Sequence, residues 1–255
     1  MAQSMTGKAA LVTGGSSGIG RATALVFARE GARVVIQDLD AAGGEETVAA
    51  IRELGAESIF AQGDVTNRDD VQNVVNQTVA AYGRLDYAFN NAASLEGYRS
   101  KIHEYDEDDW DRTINVLLKG VWLGMKYQIR QMLEQGGGAI VNTSSIAGLV
   151  GGRNGSCAYV AAKHGVLGLT KTAAIEYGQQ GIRINAVCPA QIHTPRMDRI
   201  MEIDPEFLER ETPRHPIGRI GEPLEVAEAV VWLCSDAASF VTGHALAVDG
   251  GYLAQ

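Results

Sequence analysis

The stretch Ala9-Ala10-Leu11-Val12-Thr13-Gly14-Gly15-Ser16-Ser17-Gly18-Ile19-Gly20 passes from a short apolar run through a glycine-rich turn into a helical pattern beginning near Gly18. Glycines at such a turn let the backbone approach a ligand closely, and the free amide groups of a helix N-terminus attract a pyrophosphate. The spacing is not the G-x-G-x-x-G of the commonest dinucleotide fingerprint, and a purely structural turn explains the glycines about as well. Position carries the argument. A turn that closes the first strand of a parallel sheet and opens a helix is where such sheets hold ligands.

Outward from this turn, apolar runs of strand type recur at Ala9 to Val12, Val34 to Ile36, Ile59 to Ala61, Leu85 to Phe89, Ala139 to Val141, Ile182 to Val187 and Leu246 to Val248. They are continuous rather than alternating, as strands buried on both faces require. Helical patterns lie between them. The clearest is Val71, Val74, Val75, Thr78, Val79 and Tyr82, all on one helical face. Strand and helix in repeated alternation demand right-handed crossovers, which predicts a doubly wound parallel α/β sheet of Rossmann type, about seven strands with helices on both faces. Neither a low-complexity linker nor a repeat interrupts the pattern, so residues 1–255 are expected to form one domain. The stretch Ala190 to Pro216 holds four of the six prolines and an amphipathic patch of Ile200, Ile203, Phe207 and Leu208. It reads as a lid over a site.

The 255 residues suffice for one sizeable core, and 31 acidic against 22 basic side chains leave a net charge of −9. That balance disfavours nucleic acid and anionic membrane as partners. No apolar run reaches the roughly 20 residues of a spanning helix, and Met1 to Lys8 lacks the pattern of a secretion signal, so the expected location is the cytoplasm. Cys157, Cys188 and Cys234 are odd in number and widely spaced, which argues against a disulfide framework and a zinc site; they are expected as small buried side chains, with no metal bound.

Two further features carry chemistry. Asp38 ends the second strand, 18 residues after Gly20, where a carboxylate accepts hydrogen bonds from the adenosine ribose. A 2′-phosphate there would meet like charge, and Leu39 and Ser17 offer it no cation, so the reading favours NAD over NADP. The alternative, that Asp38 merely starts the turn before the next helix, is weakened because Asp40 is the better N-cap. The second feature is Tyr159 and Lys163, four apart on one helical face. Bringing a phenol of pKa near 10 to about 7 takes roughly 4 kcal/mol, which one cation about 4 Å away supplies at an effective dielectric near 20. The preceding strand ends in Ser144 and Ser145, at the same sheet edge.

With these residues in view, the chain resembles the short-chain dehydrogenase/reductase family over essentially its whole length. The family's T-G-x-x-x-G-x-G matches Thr13, Gly14, Gly18 and Gly20, and its Y-x-x-x-K matches Tyr159 and Lys163. The Asp-Val pair beside the adenine is Asp64-Val65, and N-N-A-G appears as Asn90-Asn91-Ala92-Ala93. Asn115 fits the active-site asparagine within a helix, Ser145 the serine, Pro189 to Thr194 the P-G-x-x-x-T element, and Asp249-Gly250-Gly251 the D-G-G tail. The cofactor-binding set implied by the resemblance is Gly14, Ser17, Gly18, Ile19, Gly20, Asp38, Asp64, Val65, Asn91, Ala92, Tyr159, Lys163, Pro189, Ile192 and Thr194. Its catalytic set is Asn115, Ser145, Tyr159 and Lys163. Ala93 and Ala190 depart from the family's glycines, and the 14 positions from Ser145 to Tyr159 are one more than usual, which leaves Ser144 open as the hydroxyl.

The resemblance implies proton exchange at Tyr159, a hydrogen bond from Ser145 to the substrate oxygen, and Lys163 acidifying the phenol and gripping the nicotinamide ribose. Asn115 would break its helix and hold a relay water. The expected partner is a small alcohol or ketone, in a pocket lined by Ser94 to Tyr98, Ile146 to Asn154 and the lid. Ile192, Met197, Ile200 and Met201 suggest an apolar or cyclic substrate, while His103 and His193 read as surface residues. The helix over Val116 to Met125 is apolar nearly all round, and the resemblance makes its partner another subunit of a homotetramer. Two alternatives stand beside an NAD-dependent secondary alcohol dehydrogenase: an NADPH-dependent 3-oxoacyl thioester reductase, and a nucleotide-sensing regulator, against which Tyr159 and Lys163 both argue.

Overall fold

Parallel strands need crossovers, and the computed structural model, which describes residues 5–93, 100–152 and 157–255, supplies a helix at nearly every one. The strands are β1 (Ala9–Thr13), β2 (Arg33–Asp38), β3 (Ser58–Gln62), β4 (Tyr87–Asn90), β5 (Gly138–Thr143), β6 (Ile182–Pro189) and β7 (Ala245–Val248). They form one sheet in the order β3-β2-β1-β4-β5-β6-β7, every neighbouring pair parallel. The helices are α1 (Gly18–Arg29), α2 (Ala41–Glu53), α3 (Arg68–Tyr82), α4 (Glu107–Ile114), α5 (Gly120–Gln135), α6 (Cys157–Tyr177), α7 (Pro195–Ile203), α8 (Phe207–Glu211) and α9 (Pro223–Cys234).

Side chains alternate across each strand, so one strand feeds two cores. Ala10, Val12, Val34, Ile36 and Val141 pack with Phe27 of α1, Val48 and Ile51 of α2 and Val226 and Val230 of α9. Ala9, Leu11, Val35 and Ile140 pack on the other face with Val74 of α3, Met132 of α5 and Val166 of α6. Both faces are dry along the central strands, which is why these read as continuous apolar runs, while the edge strands β3 and β7 stay partly exposed. The expected doubly wound sheet is present with all seven strands.

Local chemistry adjusts the boundaries. β4 begins at Tyr87 rather than Leu85, because the Asp86 carboxylate turns to accept the Ala9 amide at 2.9 Å and to pair with Lys8 at 3.4 Å. The apolar segment 116–125 is not one regular helix: Asn115–Lys119 forms a π turn between α4 and α5. Leu117, Val121, Leu123 and Met125 are buried within this chain and Trp122 is exposed, so less of that segment is left to a partner than its composition predicts. Within residues 190–216, Met197, Ile200 and Phe207 bury together, whereas Ile203 faces solvent instead of joining the patch. Cys188 and Cys234 are buried, their thiols pushed up to about 11 and about 12 by burial, while Cys157 is only half-buried. Among the described residues no helix is long and apolar enough to cross a membrane, and no metal-ligating cluster occurs.

Phe27 has no exposed surface and stacks on Tyr87 with ring centroids 5.7 Å apart. Phe27→Ala is expected to destabilise the protein by about 3–5 kcal/mol in equilibrium urea unfolding; a loss below about 1 kcal/mol would show that this core repacks around the gap.

Candidate active site

The carboxyl edge of the sheet opens into a cleft of about 840 Å³. One end is built by the glycine turn after β1. Gly14 adopts φ +66°, and a Cβ on Gly20 would stand 2.0 Å from the Gly14 carbonyl oxygen, so the turn closes on itself with no space for a side chain at Gly20. Asn91 clamps it: its Nδ2 donates to the Thr13 and Gly14 carbonyls at 3.2 Å, and Thr13 Oγ1 accepts the Asn91 amide at 2.9 Å. The N-cap of α1, Ser17, makes no side-chain capping bond. Side chains cap α2, α3, α4 and α7, so α1 differs in leaving its first amides for a ligand.

Asp38 lines the same end, its Oδ2 accepting the Ser16 amide at 3.0 Å and its Oδ1 the Asp40 amide at 3.1 Å. It thus also organises the turn into α2, while Asp40 caps that helix. One lone pair on each oxygen stays available to a ribose hydroxyl. Ser17, Gly18, Ile19, Asp64, Val65, Asn91 and Ala92 line the cleft, as do Pro189, Ile192 and Thr194. A turn that admits no side chain, uncapped amides and a free carboxylate acceptor along one groove fit a dinucleotide. Gly20 and Asn115 do not line the cleft; Gly20 acts through the turn, and Asn115 sits where the helix opens into its π turn, between cleft residues Thr113 and Val116.

The other end gathers Ser145, Tyr159 and Lys163. Lys163 is buried, its Nζ donating to the Thr143 carbonyl at 2.6 Å and standing 5.6 Å from the centroid of the Tyr159 ring. The two serines separate by their partners. Ser144 is spent on structure, donating to the Lys163 carbonyl at 2.9 Å, whereas Ser145 faces the phenol. Burial would raise the Tyr159 phenol, but the Arg196 and Lys163 cations outweigh it, helped by hydrogen bonding from Ser145 and Arg196, and lower it from 10.0 to about 8. Lys163 is itself lowered, by burial first and by the Arg196 charge, with the phenol opposing.

Arg196 was not among the residues marked by the sequence pattern. Its guanidinium carbon lies 4.9 Å from the Tyr159 ring centroid. The signal was a cation directly after the Thr194-Pro195 helix start, in a segment otherwise read for its apolar residues. Arg199, Phe207, Glu211, Arg214 and Tyr252 also line the cleft. His103 and His193 are exposed and pair with carboxylates outside it. Of the expected substrate pocket, Ser94 to Tyr98 and residues 153–154 lie outside the described residues; Ile146, Ala147, Val150, Gly151 and Gly152 line the cleft. Ala190 lines it too, with its amide on the Val248 carbonyl at 3.3 Å.

Comparison with known proteins shows what the whole chain is similar to. The family described as enoyl-(acyl carrier protein) reductase matches residues 14–253. A 2,5-dichloro-2,5-cyclohexadiene-1,4-diol dehydrogenase of Sphingobium indicum is 45% identical over 98% of this chain and 98% of its own. A cyclohexanol dehydrogenase of an Acinetobacter species is 44% identical over 99% of this chain and 97% of its own. The solved structure of an NAD+-bound xylitol dehydrogenase superposes with a TM-score of 0.92 at 33% identity, covering 97% of this chain and 99% of that one.

The phenol's surroundings are measurable without any ligand. The ultraviolet tyrosinate titration of the protein minus that of Tyr159→Phe is expected to show one group ionising at about 8, while Tyr82 and Tyr87, raised by burial, ionise last. A difference midpoint near 10 would contradict the two-cation environment.

Proposed function

The chain belongs to the short-chain dehydrogenase/reductase family, and on that premise we propose that it is an NAD-dependent dehydrogenase of secondary alcohols, cyclic ones foremost, acting reversibly on the matching ketones. The observation that carries the reading is a phenol lowered to about 8 between cations at one end of a cleft whose other end is an uncapped glycine turn. Names of the relatives point to ring alcohols, and the structural relative with NAD+ is consistent with the cofactor. Asp38 supports NAD over NADP, because a 2′-phosphate would meet its charge beside the neutral Leu39.

A nicotinamide bound here supplies the hydride acceptor for oxidation and the donor for reduction. Tyr159 takes the proton from the alcohol oxygen, or returns it to the ketone. Ser145 holds that oxygen as its charge changes. Lys163, fixed on the Thr143 carbonyl at 2.6 Å, keeps the phenol acidic and reaches the nicotinamide ribose. In this proposal the Asn115 carbonyl, which accepts the Gly120 amide in the π turn, uses its second lone pair to hold a water that passes protons from Lys163 to solvent. Residues 190–216 act as the substrate lid. An acidic protein with three free cysteines fits a reducing cytoplasm.

The proposal includes a homotetramer. Trp122 and Leu133 on α5 and Ile175 on α6 stay exposed on one side of the sheet, and Trp232 on α9 stays exposed on the other, with Phe240 beyond α9 also exposed, apolar surface that two kinds of subunit contact would cover. Sedimentation at micromolar concentration is expected to give four subunits; a monomer would refute this part.

Turnover read by nicotinamide absorbance tests the function. Cyclohexanol and related ring alcohols with NAD+ are expected to react much faster than with NADP+, and a preference for NADPH with 3-oxoacyl thioesters would overturn the reading. Oxidation needs the phenolate, so kcat/KM for the alcohol rises through about 8 and levels above it, whereas ketone reduction needs the phenol and falls above it. Tyr159→Phe is expected to lose about 10²–10⁴-fold in kcat with NAD+ affinity nearly unchanged.

A further inference from the structure

Arg196 stands against local preference. Thr194 caps α7 and Pro195 opens it, so Arg196 sits in the first turn, at the end of the helix dipole that repels cations. Its side chain reaches the face of Tyr159, with Lys163 on the same ring at 5.6 Å, so two like charges converge on one phenol. Its Nε–H is buried and has no hydrogen-bond partner. Among the described residues no carboxylate forms an ion pair with it, although Arg199 and Arg214 also line the cleft and the buried Glu211 is taken up by Arg214 at 2.8 Å. Placing a cation there is unfavourable on three counts, and an anion in the cleft relieves the helix-end and like-charge penalties. An anionic oxygen reaching the guanidinium from the cleft would balance the paired cations and complement the helix end.

We propose that Arg196 is the substrate-recognising cation of this site and that the preferred substrate is a ring alcohol bearing a carboxylate close to its carbinol carbon. The inference rests on the dehydrogenase reading above and extends it to the substrate's second functional group. A planar guanidinium lining the cleft matches a carboxylate better than a lone neutral oxygen. The position beside Tyr159 sets where that carboxylate lies. The carbinol oxygen must meet the phenol, and the guanidinium stacks on that same ring, so both groups sit on neighbouring parts of one small ring. Lys163, committed to the Thr143 carbonyl, does not compete for the anion. The lowering of the phenol by Arg196 is a by-product of this placement, and pairing with a carboxylate offsets part of it when substrate binds.

A cofactor phosphate is the other anion within the same cleft, since Thr194 packs 3.2 Å from the Cβ position of Gly18 in the glycine turn. The experiment separates the two sources. The 2-, 3- and 4-hydroxycyclohexanecarboxylates, their methyl esters and cyclohexanol are compared as substrates for the wild type, Arg196→Met and Arg196→Lys, with the acid-to-ester ratio taken within each variant at one pH so that the phenol's ionisation cancels. Binding of unreactive cyclohexanecarboxylate to the cofactor-free protein is measured by calorimetry. The wild type is expected to favour at least one acid over its ester by about 100-fold in kcat/KM, mostly through KM. Arg196→Met is expected to abolish that ratio and weaken cyclohexanecarboxylate by a similar factor, Arg196→Lys to restore part, and KM for NAD+ to stay within about twofold. Equal turnover of acid and ester by the wild type, or a ratio that survives Arg196→Met, overturns the proposal. So does a rise in KM for NAD+ common to every alcohol, which assigns Arg196 to the cofactor phosphate. If no alcohol is oxidised with either nicotinamide, the dehydrogenase reading fails on its own, and loss of cyclohexanecarboxylate binding in Arg196→Met, or its absence, still decides for or against the carboxylate site.

Discussion

A phenol held between two cations in a partly dry cleft is the interaction on which the rest of this structure depends. Lowering its pKa from 10.0 to about 8 corresponds to about 3 kcal/mol in favour of the phenolate, net of the burial that opposes it. Sustaining that difference requires fixed charges, because a mobile ammonium or guanidinium would relax towards water and lose the advantage. Lys163 is fixed by the Thr143 carbonyl at the end of β5, and the spacing of one helical turn on α6 fixes Tyr159 relative to it. Ser144, one residue along, ties the same strand end back to the Lys163 carbonyl at 2.9 Å. Strand, serine and lysine therefore form one closed unit, and the phenol inherits its position from it.

That unit is braced by a network of paired side-chain amides in the sheet beneath it. Asn90 Nδ2 donates to Gln128 Oε1 at 3.0 Å and to Asn142 Oδ1 at 2.9 Å, and Asn142 Nδ2 donates to Thr170 Oγ1 at 3.0 Å. The chain of amides crosses from β4 to α5, β5 and α6 directly under the cleft. In a core of this dryness an unsatisfied amide would cost about 1–3 kcal/mol, so each link constrains the next to a single register. Asn91 extends the same logic upward, binding the glycine turn to β4, so the two ends of the cleft are braced against the same strand.

What could be read in the residues follows from which forces are local. Strands buried on both faces leave continuous apolar runs, so the central strands β1, β2, β4, β5 and β6 were legible, and a phenol and an ammonium four apart share a helix face by geometry alone. Glycines that admit no Cβ were equally legible at Gly14 and Gly20. The start of β4 was not, because Leu85 is as apolar as its neighbours and only the pairing of Asp86 across the sheet displaces the strand. Ile203 resembled its lid companions in composition, yet α7 turns it outward. The choice between Ser144 and Ser145 depended on a carbonyl 19 residues away. Arg196 was illegible for the same reason: its significance lies in the ring it covers, which belongs to a helix far back in the chain.

These contrasts divide the site between two kinds of structure. Proton transfer is assigned to residues on α6 and just beyond β5, which are locked onto the sheet by backbone carbonyls. The cation proposed to read the substrate stands on α7, in a segment whose small cluster of Met197, Ile200 and Phe207 is separate from both main cores. Changes on α7 therefore alter what the cleft admits while leaving the Lys163 and Ser145 geometry intact, but they do not leave the phenol untouched, since Arg196 contributes to its acidity. Substrate choice and working pH are thus coupled through one side chain. A chain that exchanged Arg196 for a neutral residue to accept a neutral alcohol would also need a higher pH, or a closer lysine, to keep its tyrosine ionised.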